Sequence, residues 1–186
     1  MPVLKTLGPG SLASILKRLL DILYYLLWAA LGLSSLVTLL IFFAGIYGLT
    51  GIGPGLPGEL RELLQMSVVV ALPFAIVGLI ALTFIVHRLR RVSETLVEGD
   101  PFVPENAGHL RAIAFAILVY QLISYAAHGV LGLMLTLFGR PVESSVSLAP
   151  EFSVNLGAWF AVLALFVLAE VFREGARLRE EQKLTI

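Results

Sequence analysis

Three histidines and one run of amide and hydroxyl side chains are the groups in this sequence best equipped for chemistry. His87, His109 and His128 could ligate a transition metal or carry a proton. None of them has another at the i, i+4 spacing that a helix-borne metal site uses. Gln121, Ser124, Tyr125 and His128 are better organised: at about 100° per helical residue they share one face, and Gly132 continues it. Such a stripe can bind a small molecule or ion, relay protons, or hydrogen-bond neighbouring helices at about 0.6 kcal/mol per bond. Helix packing is the expectation, with Asn155, Ser34, Ser35 and Thr38 as candidate partners.

Other catalytic signatures are missing from the chain. It has no cysteine, hence no thiolate nucleophile. It has no Gly-x-Ser-x-Gly elbow and no pair of acidic residues inside an apolar run. Gly51, Gly53 and Gly55 are spaced like a phosphate cradle, but Pro54 and Pro57 interrupt and no Lys-Ser/Thr pair follows. That segment reads as a turn. No catalytic residue, cofactor or metal ligand is expected, and the chain does not read as an enzyme.

The elements that position these residues follow from composition. Of 186 residues, 58% are hydrophobic and 14% charged, against roughly 45–50% and about 25% in soluble domains. There is too little polar side chain to cover a globule in water. Four stretches, 22–58, 63–86, 112–139 and 152–169, contain no Asp, Glu, Lys or Arg. A helix crosses the hydrocarbon in roughly 20 residues, so each stretch holds one span. The spans are expected near 23–49, 66–87, 110–138 and 153–172. The first apolar run is about twice the length of a signal-peptide core and is expected to remain in place.

Charge placement sets the orientation. Lys5, Lys17 and Arg18 precede the first span, Arg88, Arg90, Arg91 and Arg111 flank the middle loop, and Arg173, Arg177, Arg179 and Lys183 follow the last span. Only Arg61 and Arg140 fall on the other side, so both termini and the loop at 88–109 are expected in the cytoplasm. Before the first span, Ser11 can cap an amphipathic lead-in helix, with Leu12, Ile15, Leu16, Leu19 and Leu20 on one face and Lys17, Arg18 and Asp21 away from it. Between spans one and two, Glu59 to Gln65 reads as a short amphipathic turn. The loop 140–151 is short and carries no binding constellation. Glu170 reads as an interfacial ion pair with Arg173.

Two cytoplasmic segments carry the most specific patterns. The run 97–111, VEGDPFVPENAGHLR, has turn chemistry at Gly99 to Pro101 and a helix start at Pro104 and Glu105, with Asn106 placed to bond across the turn. In the tail 173–186 and the residue before it, Phe172, Gly175 and Leu178 lie at i, i+3 and i+6, and Gly175 permits another element to approach closely. Leu184, Thr185 and Ile186 make an apolar chain end that would add to a partner as a strand or tuck under the middle loop.

Together, Gly99, Pro101, Phe102, Asn106, Leu110 and Arg111, then Phe172, Gly175, Leu178, Glu180, Glu181, Leu184, Thr185 and Ile186, resemble the bacterial membrane proteins of domain of unknown function 2975. The likeness covers the full span layout, with motifs confined to the two cytoplasmic segments. Val103 departs from the family's Thr cap, and Lys183 stands where the family is often acidic. The resemblance implies a multi-pass protein of the bacterial inner membrane. Because such proteins are often encoded beside small helix-turn-helix regulators, it also implies a protein that holds or tunes a transcription factor.

The expectation is therefore an all-α, integral membrane four-helix bundle forming a single transmembrane domain over 1–186. Its function is expected to be regulatory or accessory, through a cytoplasmic protein partner such as a transcriptional regulator, without direct contact to nucleic acid. Its other partners are the lipid bilayer and further copies of itself. The competing expectation is a small oligomeric channel or transporter built on the Gln121, Ser124, Tyr125 and His128 stripe.

Overall fold

The computed structural model describes residues 12–50, 66–138 and 155–184. Ser11, the glycine-rich segment 51–58, the turn at 59–65, the loop 140–151 and the chain end Thr185 and Ile186 lie outside the described residues. Four helices make up the fold: α1 Leu12–Thr50, α2 Met66–Glu98, α3 Pro104–Phe138 and α4 Leu156–Leu184. All four are long and apolar enough to cross a membrane. In lipid an unpaired backbone N–H or C=O costs several kcal/mol, so apolar runs of this length close their hydrogen bonds internally as helices.

Helix ends differ from the expected spans in an instructive way. The segment before the first span runs into it, as expected: α1 is one unbroken helix from Leu12. The loop expected at 88–109 shrinks to Gly99–Val103, because α2 runs on to Glu98 and α3 starts at Pro104. The tail likewise continues α4 as helix to Leu184. The start expected at 153 moves to 156, since Asn155 caps α4 by accepting the Ala158 N–H on Oδ1 at 3.1 Å. Charge ended the spans in the sequence reading, but charged residues such as Glu, Lys and Arg are good helix formers and do not end a helix.

α2 is stopped by glycine geometry. The Gly99 N–H donates to Leu96 O and the Asp100 N–H to Thr95 O, at 3.3 and 3.0 Å, which is the Schellman pattern. Gly99 takes φ +82°, where a side chain would be strained, and Pro101 cannot continue a helix. α3 then begins with Val103 in the cap position and Pro104, which has no N–H to satisfy, in the first turn.

The helices alternate in direction and pack in chain order. Asp21 meets Arg90, Arg88 meets His109, and Tyr125 meets Asn155, so each neighbour pair is antiparallel. Among the described residues extensive packing joins α1 to α2, α2 to α3 and α3 to α4, which makes an open row rather than a closed ring. Buried residues recur every seven positions: Ala13, Leu20 and Leu27; Val86 and Ser93; Ala107, Ala114 and Gln121; Val162, Ala169 and Ala176. That period belongs to a left-handed coiled-coil seam, and alanine at these places brings the backbones close. Leu20 is therefore turned inward, 6% exposed, whereas Leu12, Ile15, Leu16 and Leu19 of the expected apolar face are exposed.

Most large apolar side chains face outward. In the most apolar window of α1 only 6% of residues are buried. An exterior of Leu, Ile and Phe on this scale is incompatible with water and matches lipid. The chain is a multi-pass membrane protein.

Candidate functional site

The basic ends of the helices bring the loop and the tail together. Asn106 is fully buried there. Its Nδ2 donates to Thr95 Oγ1 at 2.6 Å and to Pro101 O at 2.8 Å, tying the loop to the last turn of α2. Each such buried bond, once its partner is lost, costs about 1–3 kcal/mol. The loop thus holds Phe102 in one place, against α4. The rings of Phe102 and Phe172 lie 5.5 Å apart between centroids. A Cβ added to Gly175 would stand 2.6 Å from Phe102 Cδ1, so any larger residue forces the ring to shift. Arg179 pairs with Asp100 beside this contact.

Of the residues singled out in the sequence, the structure joins Gly99, Pro101, Phe102 and Asn106 to Phe172 and Gly175 in one joint. Arg111 stands one step further into the row, where Nη2 donates to Glu170 Oε2 at 3.0 Å. Glu170 also pairs with Arg173, so it bridges α3 and α4. Leu178 is not drawn in: it is half exposed beyond Gly175. Leu184 ends α4. Arg177 pairs with Glu174 at 2.8 Å and with Glu181 at 3.5 Å along the helix surface.

On the α1–α2 side the same end is held by charge. Arg90 Nε donates to Asp21 Oδ1 at 2.6 Å, and the guanidinium lies 4.4 Å from the Tyr24 ring centre. Lys17 and Arg91 flank Glu94 at 3.9 and 3.5 Å. Lys17 and Asp21 of the first turns of α1 are therefore spent on α2, while Arg18 is exposed.

The third-helix stripe is split between partners. Gln121 is buried in the seven-residue row with Ala107 and Ala114, and its Nε2 has no partner among the described residues. Tyr125 Oη accepts the Asn155 N–H at 3.1 Å, which ties α3 to α4. His128 is exposed and its Nδ1 donates to Ser124 O at 2.7 Å, within its own helix. Ser34 and Thr38 donate to carbonyls one turn back on α1 and do not meet the stripe. Among the described residues no group of three or more His, Asp or Glu side chains is placed to share a metal ion.

Two features escaped the sequence reading. The seven-residue alanine rows were visible as Ala107, Ala114 and Val162, Ala169, Ala176, but a search for polar residues passes over them. The second is Arg88, whose guanidinium lies 5.0 Å from the Phe84 ring centre and which stands four residues beyond it on α2.

The family model described as protein of unknown function (DUF2975) matches residues 11–186, and the chain belongs to that family. No curated protein and no solved structure matches it.

Proposed function

We propose that this protein is a non-catalytic regulatory or accessory protein of the bacterial inner membrane, with both termini in the cytoplasm. Its joint of loop and tail presents one surface to a cytoplasmic protein such as a helix-turn-helix regulator. The orientation is supported by the basic residues gathered at one end of the row, which the positive-inside rule assigns to the cytoplasm. There the exposed Leu12, Ile15, Leu16 and Leu19 face of α1 would lie in the membrane interface.

The observation that carries the reading is the tail helix itself. α4 continues past its apolar stretch, is seated on the loop by Gly175 and Phe102, and leaves Leu178 exposed among charges. A small apolar anchor ringed by charge suits a protein contact. The regulator, rather than this chain, would touch nucleic acid.

A photo-crosslinking residue at Leu178 in living cells, compared with one at lipid-facing Leu163, tests this. A helix-turn-helix protein joined through position 178 and not through 163, and no longer captured by the unlabelled protein in a pull-down after deletion of 176–186, is the expected result. Solute flux into liposomes that is lost in Gln121→Ala or His128→Ala would sink it. That outcome belongs to the second reading, a small channel or transporter of several copies, whose supporting observation is the buried, unpartnered Gln121 Nε2.

A further inference from the structure

We propose that the groove between α2 and α3 holds one acyl chain of an anionic phospholipid whose phosphate sits on Arg88. This requires only the membrane location and is independent of the protein partner.

The groove encloses about 370 Å³ and is walled almost wholly by apolar side chains, among them Val77, Ala81 and Phe84 of α2 and Ala112, Ala116 and Val119 of α3. It opens outward past the exposed Ile80, Phe115 and Ile123, so hydrocarbon has free access. Arg88 continues the line Val77, Ala81, Phe84 by one more turn, and His109 precedes Ala112 by three residues. The two meet across the mouth, Arg88 Nη1 donating to His109 Nδ1 at 3.4 Å. From Val77 to Arg88 the helix rises about 16 Å, and one leaflet of hydrocarbon is about 15 Å thick. The groove therefore fits one chain of one leaflet.

Charge selects the headgroup. Arg88 has no carboxylate within ion-pair distance among the described residues, and its Nε is buried without a partner. Its guanidinium is steadied 5.0 Å from the Phe84 ring centre. The neighbouring groove between α1 and α2, lined by Tyr24, Trp28 and Thr83, has a similar volume. There, however, the nearby Arg90 is neutralised by Asp21, which leaves no call for an anion. A guanidinium without a carboxylate partner above a dry apolar channel matches a phosphodiester carrying an acyl tail.

The test is native mass spectrometry of the purified full chain, after exchange into equal amounts of phosphatidylglycerol and phosphatidylcholine with identical acyl chains. The wild type is expected to retain the anionic lipid about fivefold over the zwitterionic one. Arg88→Gln should erase that preference, and Arg91→Gln, whose charge already faces Glu94, should keep it. Ala116→Trp, which fills the groove and leaves Arg88 in place, should lower retention of both lipids. Should Arg88→Gln fail to fold, Ala116→Trp and the wild-type preference decide the matter. Equal retention by the wild type, equal loss in Arg91→Gln, or undiminished retention in Ala116→Trp would each overturn the proposal. So would displacement of the lipid by inorganic phosphate alone, since the acyl chain would then contribute nothing.

Discussion

Substituting Gly175 should have opposite effects depending on what stands at position 102. In a helix interior, alanine is favoured over glycine by about 1 kcal/mol, because glycine loses more backbone freedom on folding. Against that gain stands the Phe102 ring. The new Cβ would lie 2.6 Å from Cδ1, 2.9 Å from Cε1 and 3.3 Å from Cγ. Carbon atoms rest at about 3.5–4.0 Å, so the ring must retreat by roughly 1 Å. Retreat is not free, because Asn106 anchors the loop on one side and Phe172 packs against the ring on another. Overpacking of this kind costs about 1–3 kcal/mol. Gly175→Ala in the wild type should thus be destabilising by about 0–2 kcal/mol. In a Phe102→Ala background the obstacle is gone, and the same change should stabilise by about 1 kcal/mol.

The assay is a double-mutant cycle by reversible denaturant titration in mixed micelles. A local readout complements it. The chain has no cysteine, so Glu98→Cys and Glu180→Cys accept spin labels without background. The distance between them should be narrow in the wild type and broadened in Gly175→Leu. A shift of the same sign and size in both backgrounds would refute the account of the joint.

Three further outcomes are expected. Gly99→Ala should lower stability by about 1–2 kcal/mol through its positive φ, and Gly99→Asn by less, as thermal midpoints in detergent will report. Asn106→Leu should cost about 1–3 kcal/mol by orphaning the Pro101 carbonyl, and it should broaden the same spin-label distance. Gln121→Leu replaces a buried amide with an unpartnered Nε2, so melting should show stability unchanged or raised by about 1 kcal/mol. A marked loss would instead show that the amide has a partner in the working protein.

The membrane class and the number of helices could be read from the gaps in charge, since lipid tolerates few ionised groups and the gaps are long. Helix ends were harder. Residues such as Arg91, Glu94 and Arg177 leave the bilayer without leaving the helix, and Lys17, the partner of Glu94, lies on another helix that only the structure aligns. Gly99 and Pro101 were legible as a turn because their backbone demands are local. Phe102 against Gly175 was not, because the two are joined through a fold that sets 72 residues of chain between them. The spacing of Phe172, Gly175 and Leu178 set three residues on one stripe of the tail, and it could not say that the first two are covered and the third left out. Leu20 shows the same limit: about two and a half turns of periodicity cannot choose between two apolar faces.

The open row has a consequence for biogenesis. Every long seam joins a helix to the one synthesised just before it, so each can close as its second strand of chain enters the bilayer, without waiting for a distant element. The α1–α2 seam, with Asp21 on Arg90, is complete before α3 exists. The loop waits longest: Phe102 and Asp100 stay uncovered until Gly175 and Arg179 leave the ribosome. Seating the tail therefore comes after all four spans have been made, and a chain in which it has not yet seated would keep its helix seams while leaving the loop uncovered.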